Sequence, residues 1–307
     1  MAKKWLAVLL VLIALAGGGA YFVWQEATTR LEAELANWVR ARTAEGWRIT
    51  LSPPVRSGFP LAAALKIDHL RVDSPMGLGW RAERATLAIY PQDPRQLRLT
   101  LDGAQTLVHL NGSTPVQQRA LAFRLRLDGQ GGTLEGEGLR IGEATEINRI
   151  SAEVFGAAVN IRADLFAVQG LPRFDIVHVT GRLTRPPQAT AAAWRNSGGA
   201  LSLERGEFRT GEVVANLTAT LTLDQALQPE GRGNLQLTGA QEAVTLLTSA
   251  GVIAPGQAPV LRTVLGLAAR VPPEGGPPRI DAPLELRNRR LTAARLPITT
   301  LPAIDWR

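Results

Sequence analysis

The sequence predicts a mainly β protein: an N-terminal transmembrane helix, an amphipathic helix, and a large, curved antiparallel meander sheet with two or three short helices towards the C-terminus. Three observations predict this class. Residues 5–24 are uncharged and mostly apolar, and twenty helical residues at about 1.5 Å each cover the roughly 30 Å of a bilayer's hydrocarbon core. Residues 25–46 then place apolar side chains at helical spacing. From Trp47 onward the apolar residues recur at every second position, as in strands with one buried and one wet face.

The first element is read as a signal anchor over residues 1–24. Lys3 and Lys4 precede the span, so the N-terminus is expected in the cytoplasm and the bulk of the chain in the periplasm, as a single-pass inner-membrane protein. Trp5 at one end and Tyr21, Phe22 and Trp24 at the other occupy positions favoured by interfacial aromatics. The alternative is a cleaved signal peptide, with Ala14-Leu15-Ala16 as its cleavage site and secretion to the periplasm after Ala16. Residues 25–46 form the linker helix: Leu31, Leu35, Trp38 and Val39 fall on one stripe, and Gly46 is a natural stop.

Residues 47–307 are read as the β-rich domain. Alternation runs through Trp47, Ile49 and Leu51, through Leu65 and Ile67, and through Ala85, Leu87 and Ile89. It continues in Leu97–Leu101, Leu121–Leu127, Val213–Leu223 and Ile280–Leu286. Asp102-Gly103 and Asp128-Gly129 are turn chemistry and are expected to end two strands. Helices are expected over 188–195, 241–250 and 260–269, with a Pro/Gly-rich loop over 272–278. An echo of Leu97-Arg-Leu-Thr-Leu-Asp-Gly at Phe123-Arg-Leu-Arg-Leu-Asp-Gly allows two related β halves meeting near 170–190.

Composition narrows the chemistry. There is no cysteine, so thiol chemistry, disulfides and cysteine-ligated zinc are excluded. The net charge of +7 comes almost wholly from dispersed arginines. No run of five bases occurs and no aromatics interleave with the bases, which excludes a nucleic-acid partner and leaves contact with anionic lipid head groups open. Gly136-Glu-Gly138-Leu-Arg-Ile-Gly142 has its third glycine one residue late for a dinucleotide loop and reads as turn glycines. Glu135 and Glu137 share a face but read as solvated turn residues. No nucleophile elbow, P-loop or H-E-x-x-H is present, and His69, His109 and His178 lack metal spacing. The expectation is no catalytic residue, no cofactor and no metal.

An ordered set of short motifs carries a family resemblance. It comprises the anchor, Ser57-Gly58-Phe59-Pro60, Trp80 opening the strand that ends at Tyr90-Pro91, and Trp194-Arg-Asn-Ser-Gly198-Gly199. Leu223-Asp224, Gln228-Pro229-Glu-Gly231, the helix from Gln241, and Leu301-Pro302-Ala-Ile-Asp-Trp306 complete it. In this order they resemble the uncharacterised membrane-anchored envelope proteins known as domain of unknown function 2125. The resemblance implies an exported, β-rich, signal-anchored protein, distantly similar in style to anchored periplasmic β-groove proteins that move or sense envelope lipids. It supplies no catalytic residues; its Gly and Pro positions imply turns and strand ends.

The one-sided strands allow a closed core or an open apolar concavity. The functional expectation is a non-enzymatic protein whose β-domain binds or shields acyl chains in envelope lipid handling. The alternative is an envelope scaffold or assembly factor that docks a protein partner through a sheet edge.

Overall fold

The computed structural model describes residues 2–75, 77–109, 112–185, 190–273, 275–294 and 296–304, with side chains from Gly18 onward except those of residues 296, 297 and 299. The chain forms two compact units, Met1–Gly132 and Thr133–Arg307. Residues 170–190 therefore lie inside the second unit.

The first unit begins with α1 (Ala2–Ala44), one uninterrupted helix through the segments expected as anchor and linker. It stops where the sequence places Gly46, whose φ of +89° suits glycine. The Gly46 amide donates to Thr43 O and the Trp47 amide to Arg42 O, which closes a Schellman motif over the last carbonyls. Among the described residues no helix is long and apolar enough to cross a membrane. Lys3, Lys4 and Trp5, with the rest of the expected span before Gly18, lie outside the described side chains.

Against α1 lies an antiparallel sheet. Its long strands are β3 (Ala63–Asp73), β4 (Gly79–Tyr90) and β5 (Asp93–His109). The short β1 (Arg48–Thr50) and β2 (Val55–Ser57) pair with opposite halves of β3, while β6 (Gly112–Gln117) and β7 (Ala120–Arg126) pair with β5. The register stacks apolar side chains in rows across the strands. Leu65 faces Leu87, which faces Leu99, which faces Phe123; Ile67 faces Ala85, which faces Leu101. Leu65, Ile67 and Ala85 are the most deeply buried of these, and Leu31 and Thr28 of α1 are buried with them.

Asp102-Gly103 is not a turn. β5 runs straight through it, and Gly103 and Ala104 together face the single residue Glu83. Gly103 has φ +76° and Ala104 N donates to the Glu83 carboxylate at 3.0 Å, so this is a glycine bulge, which bends the strand. On the far side His69 also takes a positive φ, +53°, and the apolar parity of β3 switches there from Leu65 and Ile67 to Leu70 and Val72. Asp128-Gly129 is a turn as expected. The Arg126 guanidinium and the Gln130 amide both bond the Asp128 carboxylate and hold its pKa down to about 2.

β8 (Gly131–Ile141) runs across the boundary between the units. It contains Gly136 and Gly138, so the expected turn there is corrected to strand, with Glu135 and Glu137 both exposed on it. The second unit continues as an antiparallel meander: β9 (Thr145–Phe155), β10 (Ala158–Val168), β11 (Phe174–Leu183), β12 (Leu201–Thr210), β13 (Val213–Leu223), β14 (Pro229–Thr238) and β15 (Arg279–Arg287), each paired with the next. Two short strands, β16 (Arg290–Ala293) and β17 (Leu296–Thr300), follow. Two-residue turns set the register, as at Asn288-Arg289, where both residues take positive φ. The expected helices are present as α2 (Ala191–Asn196), α3 (Ala240–Ser249) and α4 (Ala258–Ala268), with a 3₁₀ turn at Pro255–Gln257. Residues 188 and 189 of the expected 188–195 helix lie outside the described residues. α3 packs against β13 and α4, and Val244 of α3, Val213 of β13 and Ile280 of β15 are buried.

Candidate functional site

The helix α1 does not fill the apolar face it lies against. Between them runs a groove of about 990 Å³. Its helical wall is the stripe Phe22, Val23, Ala27, Leu31, Leu35 and Trp38, the spacing that keeps side chains on one helical face. Its floor is Ile67, Leu70 and Val72 of β3, Ala85, Leu87 and Ile89 of β4, and Leu97 and Leu99 of β5. Leu125 and Leu127 line the far rim. The groove opens to solvent: Phe22 is 72% exposed, Leu127 55% and Trp38 43%.

Charge is confined to the helical wall. Glu26, Arg30 and Glu34 are the ionisable groups among the lining residues. Arg30 pairs with Glu26 at 2.9 Å, and Glu34 makes no ion pair among the described residues. Such a lining can sequester an apolar chain and offers little for bond-breaking chemistry. No group of three or more His, Asp or Glu that could hold a metal occurs among the described residues. His109 bonds Thr114 Oγ1 at 3.1 Å and His178 bonds Asn160 Oδ1 at 3.0 Å, each a local strand contact.

Two clasps fix α1 beside this groove. The first uses the expected motif residues. Trp24 donates its indole N–H to Ser57 O at 3.2 Å, and the Phe59 ring meets Trp24 and Tyr21 edge-on at 5.7 and 5.8 Å. Gly58, at φ +91°, lets the loop turn so tightly that an added Cβ would sit 2.6 Å from Ala62 O. The Phe59–Pro60 peptide is cis. The second clasp is a bidentate pair between Arg56 and Glu32, at 2.9 and 2.6 Å. Hydrogen bonding from the Arg56 guanidinium holds the Glu32 carboxyl below its usual range. Trp80 stands elsewhere in the unit, donating to the buried Gln105 at 3.1 Å.

The remaining motif residues belong to the second unit, and three of their segments meet there. Gly198, at φ +78°, ends α2 in another Schellman motif, with Gly198 N on Arg195 O and Gly199 N on Trp194 O. Gly199 lies so close to the Trp194 indole that a Cβ would come within 2.4 Å of it. Arg195 donates to Asp224 O and Gln225 O in the β13–β14 turn. Gln228 then exchanges two bonds with the backbone of Ile304, at 2.8 and 3.0 Å. Pro229 opens β14, and Gly231 admits the backbone of Thr220, whose oxygen would stand 2.0 Å from an added Cβ. These contacts account for the residue types and bring no reactive group together.

Sequence reasoning missed the Glu32–Arg56 clasp, because the pair is 24 residues apart and no local pattern links them. The parity switches at His69 and Glu83 were available as a signal: Leu65 and Ile67 give way to Leu70 and Val72, and Ala82 to Ala85.

The fold and groove define a mainly β protein with an open apolar groove walled by its own N-terminal helix. The chain belongs to a family of uncharacterised proteins conserved in bacteria (DUF2125), which matches residues 24–192 and 171–302. No curated protein and no solved structure matches it.

Proposed function

We propose that this protein is a non-enzymatic, inner-membrane-anchored periplasmic binder of lipid acyl chains that acts in envelope lipid handling. The groove between α1 and β3–β5 carries the proposal. Its helical wall from Phe22 to Trp38 is about 24 Å long at 1.5 Å per residue. One leaflet offers a chain about 15 Å, half the hydrocarbon core. The volume of about 990 Å³ equals that of about thirty water-sized groups, more than one long acyl chain needs. An apolar lining with charge on one wall suits a ligand with a long hydrocarbon tail and a polar end.

The test is photo-crosslinking of the full chain in cells, with p-benzoylphenylalanine replacing Leu99 in the floor or its neighbour Thr100 on the other face of β5. A lipid adduct found by mass spectrometry at Leu99 and absent at Thr100 is the expected result. Adding Leu125→Arg, a charge at an exposed point of the mouth, is expected to lower the adduct yield at least tenfold, because a cation in an apolar site is costly. No adduct at either position would overturn the proposal. A protein adduct at Leu99 would replace it with docking of a partner.

A further inference from the structure

One end of the first unit carries an exposed apolar cluster. It consists of Tyr21, Phe22 and Val23 on α1 and of Phe59 and Leu61 on the loop between β2 and β3, the last of them 72% exposed. The strand registers put this loop at the same end as the β4–β5 turn and the end of β7: Ala63 faces Ile89, Tyr90 faces Asp93, and Gln96 faces Arg126. α1 runs alongside β3 from this end, where Trp24 bonds Ser57, to the other, where Gly46 lies against Pro75. Neighbouring exposed apolar groups of this size mark an interaction site rather than ordinary surface.

The helix identifies the occupant. α1 is continuous from Ala2 to Ala44, and the twenty uncharged residues 5–24 end at the cluster. At about 1.5 Å each they match the roughly 30 Å of one hydrocarbon core, so their last turn, Tyr21 to Trp24, falls where aromatic side chains meet the head groups. The loop shares that level. The Phe59 ring lies 5.8 Å from Tyr21 and 5.7 Å from Trp24, and the Leu61 amide donates to Gly58 O in the turn just beyond. Charge at this end does not oppose contact with a bilayer. Arg30 pairs with Glu26 at 2.9 Å and Arg126 with Asp128 at 2.6 Å, while the β4–β5 turn carries Asp93 and Arg95, one of each sign.

We propose that the β2–β3 loop is seated in the membrane, with Phe59 and Leu61 immersed at the surface of the bilayer that holds residues 5–24. The seating rests on the anchored reading proposed above and adds to it a route for the ligand. Phe22 and Val23 belong both to the cluster and to the wall of the groove. The groove therefore opens at the level of the head groups, and an acyl chain enters it without crossing water.

The absence of cysteine permits a direct test. The full chain is labelled with a polarity-sensitive dye at one introduced cysteine and reconstituted into phosphatidylcholine vesicles that carry nitroxides on the head group or in mid-chain. Leu61→Cys reports the loop, Leu10→Cys the apolar N-terminal segment, and Leu78→Cys the exposed β3–β4 turn at the opposite end of the unit. The expected result is loss of Leu10 emission with mid-chain nitroxides and loss of Leu61 emission with head-group nitroxides, with Leu78 unquenched by either. Leu10 quenched and Leu61 as bright as Leu78 would overturn the seating and leave the anchor standing. Leu10 unquenched would overturn the anchor, and the seating with it. A Leu61 probe that is blue-shifted yet unquenched would also overturn the seating, because a protein surface would then cover the loop.

Discussion

At the residue scale, the informative positions are those where a side chain is forbidden. Gly199 and Trp194 are one device: the indole lies where the Cβ of any other residue would be. Gly199→Ala is expected to displace that ring and lower stability by about 1–3 kcal/mol, the usual cost of overpacking, read as a drop in the denaturant midpoint at unchanged slope. The glycine and tryptophan were visible in the sequence as a motif, but their contact was not, because four residues separate them and only the Schellman turn brings them together. Gly103 teaches the converse. Asp-Gly is good turn chemistry, yet here tertiary pairing with β4 on one side and β6 and β7 on the other keeps the strand going and converts the glycine into a bulge.

At the scale of elements, periodicity was a reliable guide. Helical spacing placed α3 and α4 to within two residues, and the alternation of Val213–Leu223 gave β13 at its observed bounds. What period cannot show is whether two apolar faces meet, so the groove between α1 and β3–β5 was legible only as a choice between open and closed. The Glu32–Arg56 clasp gives this packing a pH signature. Glu32 has a folded pKa below its ordinary value of 4.5. Its contribution is therefore fully present above about pH 4.5 and is lost as pH falls through the lowered value. The stability difference between the native chain and Glu32→Gln is expected to be flat from about pH 7 down to 4.5 and to shrink below that. Denaturant titrations across this range check it, the other carboxylates cancelling in the difference.

At the scale of the whole molecule, α1 does more than join the N-terminal segment to the sheet. Its two clasps, at Trp24 and Glu32, lie eight residues apart, about 12 Å along the axis and 80° around it. Two fixings at different heights and azimuths key a helix: it can neither slide nor spin without breaking one of them. The rotational setting of α1, and so the direction its apolar stripe faces, is thereby locked to the floor of the groove. One alanine inserted between Thr28 and Thr29 would turn the distal half by about 100° and force a choice between the clasps. Lipid crosslinking from Leu99 is then expected to fall to background. The same alanine inserted between Gly19 and Ala20, upstream of both clasps, should leave it unchanged. The phase of the helix, held by one tryptophan and one glutamate, then shapes the groove as much as the leucines that line it.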